Sequence, residues 1–226
     1  MPHHPLHHRR VALLVAFVAI VLAVTTSDAL HQAFVDVLTI AERLMRAYPR
    51  AGMLAFVGLA SLSAMLSFFS SSALVPVGVY VWGAQQTMLM LWVGGVLGGT
   101  AGYWMARTLG RRIVKRLVPE APFRRYETFF RTRAQWRTVL LFRLALQSEL
   151  PSYVLGVLRY PFRRYLPMML LGEIPFVFFA VYLGETLLER NGVVFAIALC
   201  VGVGLTVLAF RALQREMRSD APPIAR

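Results

Sequence analysis

The sequence predicts an all-α integral membrane protein with about four transmembrane helices plus two opposed re-entrant helical hairpins related by an inverted repeat. Three observations carry that expectation. The 226 residues are 58% hydrophobic and only 15% charged, a balance suited to a lipid solvent and far from that of an ordinary soluble domain. The charge is also segregated: residues 107–137 alone hold ten basic and two acidic groups, while the long apolar runs carry few ions. Finally, two of those runs are broken at their centres by proline, at SSSALVPVG around Pro76 and at QSELPSY around Pro151, where a backbone donor is missing.

Taken in order, residues 1–10 read as a cytosolic tail, its histidines His3, His4, His7 and His8 belonging to a solvated segment and not to a metal site. Val11 to Thr26 is an apolar run about 24 Å long as a helix, and TTSDAL after it offers no small-x-small cleavage site, so a signal anchor is expected. Between residues 27 and 50, Leu30, Phe34, Val37, Leu38, Ala41, Leu44, Met45 and Tyr48 recur at helical spacing opposite Asp36, Glu42, Arg43 and Arg46, the pattern of a helix lying in the interface. The stretch 51–84 is too long for one span and too short for two, and it reads as the first hairpin. A crossing at 85–107 follows, in which Gly94, Gly98 and Gly102 fall four apart and let a neighbouring helix approach closely.

Residues 108–137 read as a basic cytosolic loop whose interleaved aromatics, among them Phe123, Tyr126, Phe129, Phe130 and Trp136, suit an anionic leaflet. The second hairpin spans 138–160, a crossing runs from 165 to 184, the last helix occupies 191–210, and 211–226 is a basic cytosolic tail. Topology follows from charge. Short cytoplasmic segments collect Lys and Arg, and the N-terminus, the central loop, the trio Arg159, Arg163 and Arg164, and the tail are the basic ones; segments 27–50 and 185–191 sum to 0 and −1. Placing all four basic segments in the cytoplasm forces 51–84 to enter and leave from outside and 138–160 from inside. A shift of 74 residues also aligns Leu97, Gly98, Ala106, Leu109 and Gly110 with Leu171, Gly172, Ala180, Leu183 and Gly184, as an inverted pair of hairpin-plus-helix units would.

The ordered series GGVLGGTAGYWMARTLGRR, FRLALQSELPSYVLGVLRYPFRRYLPMMLLGEIPF and VYLGE resembles the DedA superfamily, specifically its VTT-domain or SNARE-associated Golgi protein branch, over roughly residues 50–190. The resemblance implies opposed re-entrant loops and the movement of lipid across the bilayer, members having been proposed as phospholipid scramblases, polyprenyl-phosphate translocases or proton-coupled transporters. It places the family's hairpin arginine on Arg143 and its proline-glycine pattern on Pro151 and Gly156. Many relatives carry acidic residues in the first hairpin; SFFSSSALVPVGVYVWG has none.

Ionisable groups at membrane depth are costly and commonly functional, and Arg143, Glu149 and Glu173 qualify. The expected pathway joins them to Pro76, Pro151 and Gly156 and to the hydroxyls of Ser70, Ser71 and Ser72: Arg143 would attract a headgroup phosphate through paired charge-assisted bonds, and Glu149 or Glu173 would take up and release a proton. A structural ion pair between Arg143 and either glutamate is the plainer alternative. Enzyme chemistry is not expected, because GxSxG and HExxH are absent and His31 is the only histidine beyond the tail. No cofactor or metal is expected either, and the net charge of +13 is spread between apolar segments, not gathered on a nucleic-acid-binding face. The expected partners are membrane lipids, with anionic headgroups at residues 107–137, in a bacterial cytoplasmic membrane with both termini cytosolic. A small-solute transporter coupled to protons or ions, and a scaffold without transport, are the alternative functions.

Overall fold

The computed structural model describes residues 49–65, 74–110, 120–132, 135–146, 149–189 and 191–218, together with Val114 and scattered residues between 28 and 48. Every regular element among them is a helix: α1 (Pro49–Met65), α2 (Leu74–Leu109), α3 (Glu120–Thr132), α4 (Trp136–Ala145), α5 (Leu150–Val157), α6 (Phe162–Leu188) and α7 (Gly192–Arg218). The expected tail at 1–10, the signal anchor and Ser70, Ser71 and Ser72 lie outside the described residues. Of the expected interfacial helix, the described positions are helical up to a bend at Tyr48, with Leu38 buried and Asp28, Gln32 and Asp36 exposed.

Helix α2 is the hub, with α1, α5 and α6 packed on it, while α4 lies against α6 and α7, and α3 against α5. It is not one rod. Gly83 stands at φ 80°, ψ 166°, a backbone region open essentially to glycine alone. A Cβ on Gly78 would come within 2.7 Å of Thr87 Cγ2, yet nine residues of straight helix would separate those positions by about 13.5 Å. The chain therefore bends sharply at Gly83, and the Thr87 hydroxyl donates to the Gly83 carbonyl at 2.8 Å on the far side of the bend. The sequence reading ended its first hairpin at residue 84 without singling out this glycine. Gly83→Ala should cost about 1–3 kcal/mol through the positive φ alone, readable as a lowered melting temperature, because the position has open space around it and no clash to add.

The first segment of α2 returns beside α1, where Phe56 meets Trp82 edge-on at 5.6 Å. Phe56, Ala60, Val75, Leu91, Val177 and Val181 form one apolar core here. A second core gathers Tyr103, Phe123, Phe130, Phe142, Tyr153, Leu155, Tyr165, Met169 and Leu213. Among the described residues, two helices are long and apolar enough to cross a membrane, Phe162–Leu188 and Gly192–Met217. Inside α6, Pro175 removes one rung of the hydrogen-bond ladder, and close by the Trp92 indole donates to the Leu170 carbonyl at 3.2 Å.

Two boundaries differ from expectation. Helix α7 continues eight residues past Phe210 into the expected tail, because Leu213 and Met217, one turn apart, pack on the second core while Arg211 and Arg215 stay outside. The segment 108–137 is not simply a loop. Phe123, Tyr126 and Phe130 share one face of α3, and the Tyr126 and Phe130 rings pack at a tilt against Phe142 of α4, with centroids 4.8 and 4.6 Å away.

Candidate functional site

A buried polar network sits where α2, α4, α5 and α6 converge. Arg143, near the end of α4, has a side chain only 8% exposed, and its Nη2 lies 3.1 Å from Oε2 of Glu173, which is itself 15% exposed. The other branch, Nη1, donates to Ser152 Oγ at 3.2 Å and reaches the Tyr165 hydroxyl at 3.5 Å. The guanidinium carbon stands 6.0 Å from the centre of the Tyr165 ring, within cation–π range. Tyr165 Oη is 2.9 Å from Ser152 Oγ and 3.1 Å from the Gly99 carbonyl oxygen. A carbonyl only accepts. The tyrosine proton is therefore directed to Gly99 and the serine proton to the tyrosine, giving a continuous sequence from Arg143 through Ser152 and Tyr165 to the backbone of α2.

Glycines make this convergence possible. A Cβ on Gly172 would touch Arg143 Cβ at 3.2 Å, so α4 lies directly on α6 there; a Cβ on Gly95 would fall 2.3 Å from Glu173 Oε1. Gly99 leaves room for Met169 and lies near Ser152. The run GGVLGG thus presents two stripes. Gly94 and Gly98 face α1, through Ala60 and the Ser61 carbonyl, while Gly95 and Gly99 face the network. Gly102, which the spacing grouped with Gly94 and Gly98, instead meets Tyr153 of α5.

The expected pathway residues separate into groups. Arg143 and Glu173 are brought together, making Glu173 the carboxylate that pairs with the buried guanidinium. Glu149 stands at the N-cap of α5 and Pro151 in its first turn, a place that suits proline because no helical donor is lost. Gly156 is a contact between helices and not a gap: a Cβ would lie 2.4 Å from the Tyr103 carbonyl oxygen. Pro76 packs against Gly184 near the far end of α6.

Ser152, Tyr165, Gly95 and Gly99 line the network and were not singled out from sequence, and Gly172 was named only as a match in the internal repeat. The doubling of each glycine pair was the available signal for two of them; the hydroxyl residues gave none that distinguished them from ordinary apolar-run neighbours. Tyr153, also on α5, donates from its hydroxyl to the carbonyl of Met65, the last residue of α1, and so occupies one of that helix's unsatisfied terminal acceptors. Below the network, Tyr103 stacks on Tyr165 at 4.6 Å, and its hydroxyl accepts from Arg107 at 2.7 Å while donating to the Tyr160 carbonyl.

Among the described residues no cluster of His, Cys, Asp and Glu is arranged to hold a metal ion. No curated protein and no solved structure matches the chain. A family model, that of the VTT domain, matches residues 68–186 and takes in α2 to α6, every residue of the Arg143 network included. Because that match covers more than half of the sequence, the protein belongs to the VTT-domain family of DedA and SNARE-associated Golgi membrane proteins.

Proposed function

We propose that this chain moves lipid between the leaflets of a bacterial cytoplasmic membrane, the headgroup passing the Arg143 network while the tails stay in hydrocarbon. The family is one of membrane transport proteins. The single observation that carries the finer reading is the Arg143–Glu173 pair itself: an ion pair enclosed by four helices, next to a glycine stripe, in a chain otherwise built for hydrocarbon. A guanidinium presents five N–H donors in a fork that fits a phosphate. Glu173 competes for that fork. Displacement of the carboxylate by a phosphate would release Arg143 to the headgroup.

Helix lengths support four crossings with two re-entrant hairpins. The second hairpin's arms, α4 and α5, hold 10 and 8 residues, about 15 and 12 Å, and the first segment of α2 is similarly short. None matches the roughly 30 Å of a hydrocarbon core. Both termini then face the cytoplasm, and the basic segment at 107–137 meets anionic headgroups.

The test is reconstitution of the pure protein in vesicles carrying fluorescent phospholipid in both leaflets, with outer-leaflet label quenched chemically. Wild type should expose the inner label at a rate proportional to protein content. Arg143→Lys keeps the charge but loses the fork, and should slow the movement about tenfold or more. Unchanged movement in Arg143→Ala at equal incorporation would sink the proposal; no movement by wild type, with gradient-driven uptake of a soluble solute instead, would favour coupled transport.

A further inference from the structure

A second polar site lies away from the Arg143 network, where α3 meets the turn between α5 and α6. A cavity of about 480 Å³ opens there, lined by Arg131, Arg159 and Tyr160 with Phe130, Leu155 and Leu158. Two features of its wall are unusual. Tyr160 is 6% exposed, yet its buried hydroxyl has no hydrogen-bond partner among the described residues, and a buried polar group left so is destabilising unless something else satisfies it. Arg159 has φ 54°. It stands at the position just past the end of α5 in a Schellman motif, its N–H bonded to Gly156 O at 2.9 Å and that of Tyr160 to Leu155 O at 3.0 Å. Glycine takes that left-handed conformation without the steric conflict that an arginine Cβ meets.

Both charged residues in the cavity lining are basic. The Arg131 guanidinium is 3.0 Å from Glu127, which uses one corner of its fork. Arg159 is exposed, and the positive charge of Arg164 also acts on the Tyr160 phenol. Two guanidiniums beside apolar walls that suit the start of an acyl chain are complementary to a phosphate ester, and the Tyr160 hydroxyl, enclosed behind that wall, meets it by a turn of the ring.

We propose that this cavity binds the phosphate headgroup of an anionic lipid, with Arg159 and Arg131 neutralising the oxyanion and the Tyr160 hydroxyl donating to it. The assignment rests on the membrane reading given above, because it needs the α5–α6 turn at headgroup level, but it does not require translocation.

The test is thermal unfolding of the full-length protein in neutral detergent with short-chain phosphatidic acid, with diacylglycerol of the same chains, and with inorganic phosphate. Phosphatidic acid should raise the melting temperature and diacylglycerol should not. A comparable rise with inorganic phosphate supports a site satisfied by the oxyanion alone; a rise with phosphatidic acid only supports a lipid site. Without additive, Tyr160→Phe should melt no lower than wild type and Arg159→Gly higher, yet each should weaken the apparent affinity for phosphatidic acid about tenfold or more, as the loss of a bond to a charged group does. The melting response is read without any lipid movement, so wild-type protein that moves no lipid yet responds to phosphatidic acid through Arg159 and Tyr160 leaves this site standing when the translocation reading fails. Wild-type affinity in both Tyr160→Phe and Arg159→Gly would overturn it.

Discussion

Arg143→Ala is expected to lower the stability of the folded protein by about 3–5 kcal/mol, and the double variant Arg143→Met/Glu173→Leu to recover most of that loss while still failing to move lipid. The first half follows from what is left behind. Glu173 is 15% exposed and loses its cation, and an uncompensated buried charge costs that amount. Ser152 and Tyr165 lose less, because the Tyr165 proton still has the Gly99 carbonyl and Ser152 still has the tyrosine. The second half follows from the weak net contribution of buried ion pairs: well-packed apolar residues of similar volume replace them at little cost or with a gain. Arg143 and Glu173 touch across α4 and α6, so their effects should be strongly non-additive. Thermal unfolding and lipid movement measured on the same preparations check both halves. A double variant that is stable and still moves lipid would reduce the pair to a structural brace.

How much of this was legible in the sequence depends on the kind of signal. Arg143 and Glu173 were found because a charge in an apolar run is conspicuous whatever surrounds it. Which glutamate pairs with Arg143 was not legible, since Glu149 and Glu173 are equally conspicuous and the choice is made by how α4 lies on α6 at Gly172. Ser152 and Tyr165 were missed because hydroxyls are unremarkable in membrane helices; only their convergence on Gly99 makes them a network. The sequence put its break at Pro76 and only a segment boundary at residue 84; the bend at Gly83 was not legible, because the need for glycine lies in a backbone angle that no periodicity records. In residues 108–137 the helix signal was present in Phe123, Tyr126 and Phe130, and the density of basic residues obscured it. Gly156 was named from a family pattern attached to transport, and its close approach to the Tyr103 carbonyl, which also asks for glycine, was not legible in that pattern.

Gly98→Ala should be the most damaging single-methyl change in the chain outside the network, with an expected loss of about 3 kcal/mol or more, against a gain of up to about 1 kcal/mol for Gly204→Ala. Both glycines are helical, and alanine is the better helix former by roughly that amount. Surroundings decide the sign. A Cβ on Gly98 would fall 2.2 Å from the Ser61 carbonyl oxygen and 2.8 Å from Ala64 Cβ, whereas one on Gly204 meets nothing within 4 Å. The Ser61 oxygen is backbone within α1 and cannot rotate away as a side chain would, so α1 must lift from α2 along the whole Gly94–Gly98 stripe. That separation removes the close packing that holds helices together in lipid, where burial from water supplies no compensating force. It also pulls Met65 from the Tyr153 hydroxyl, because the end of α1 moves with the rest. Thermal unfolding of the two variants in one detergent tests the contrast. Equal melting temperatures would mean that α1 does not rest on the glycine stripe in the membrane-extracted protein.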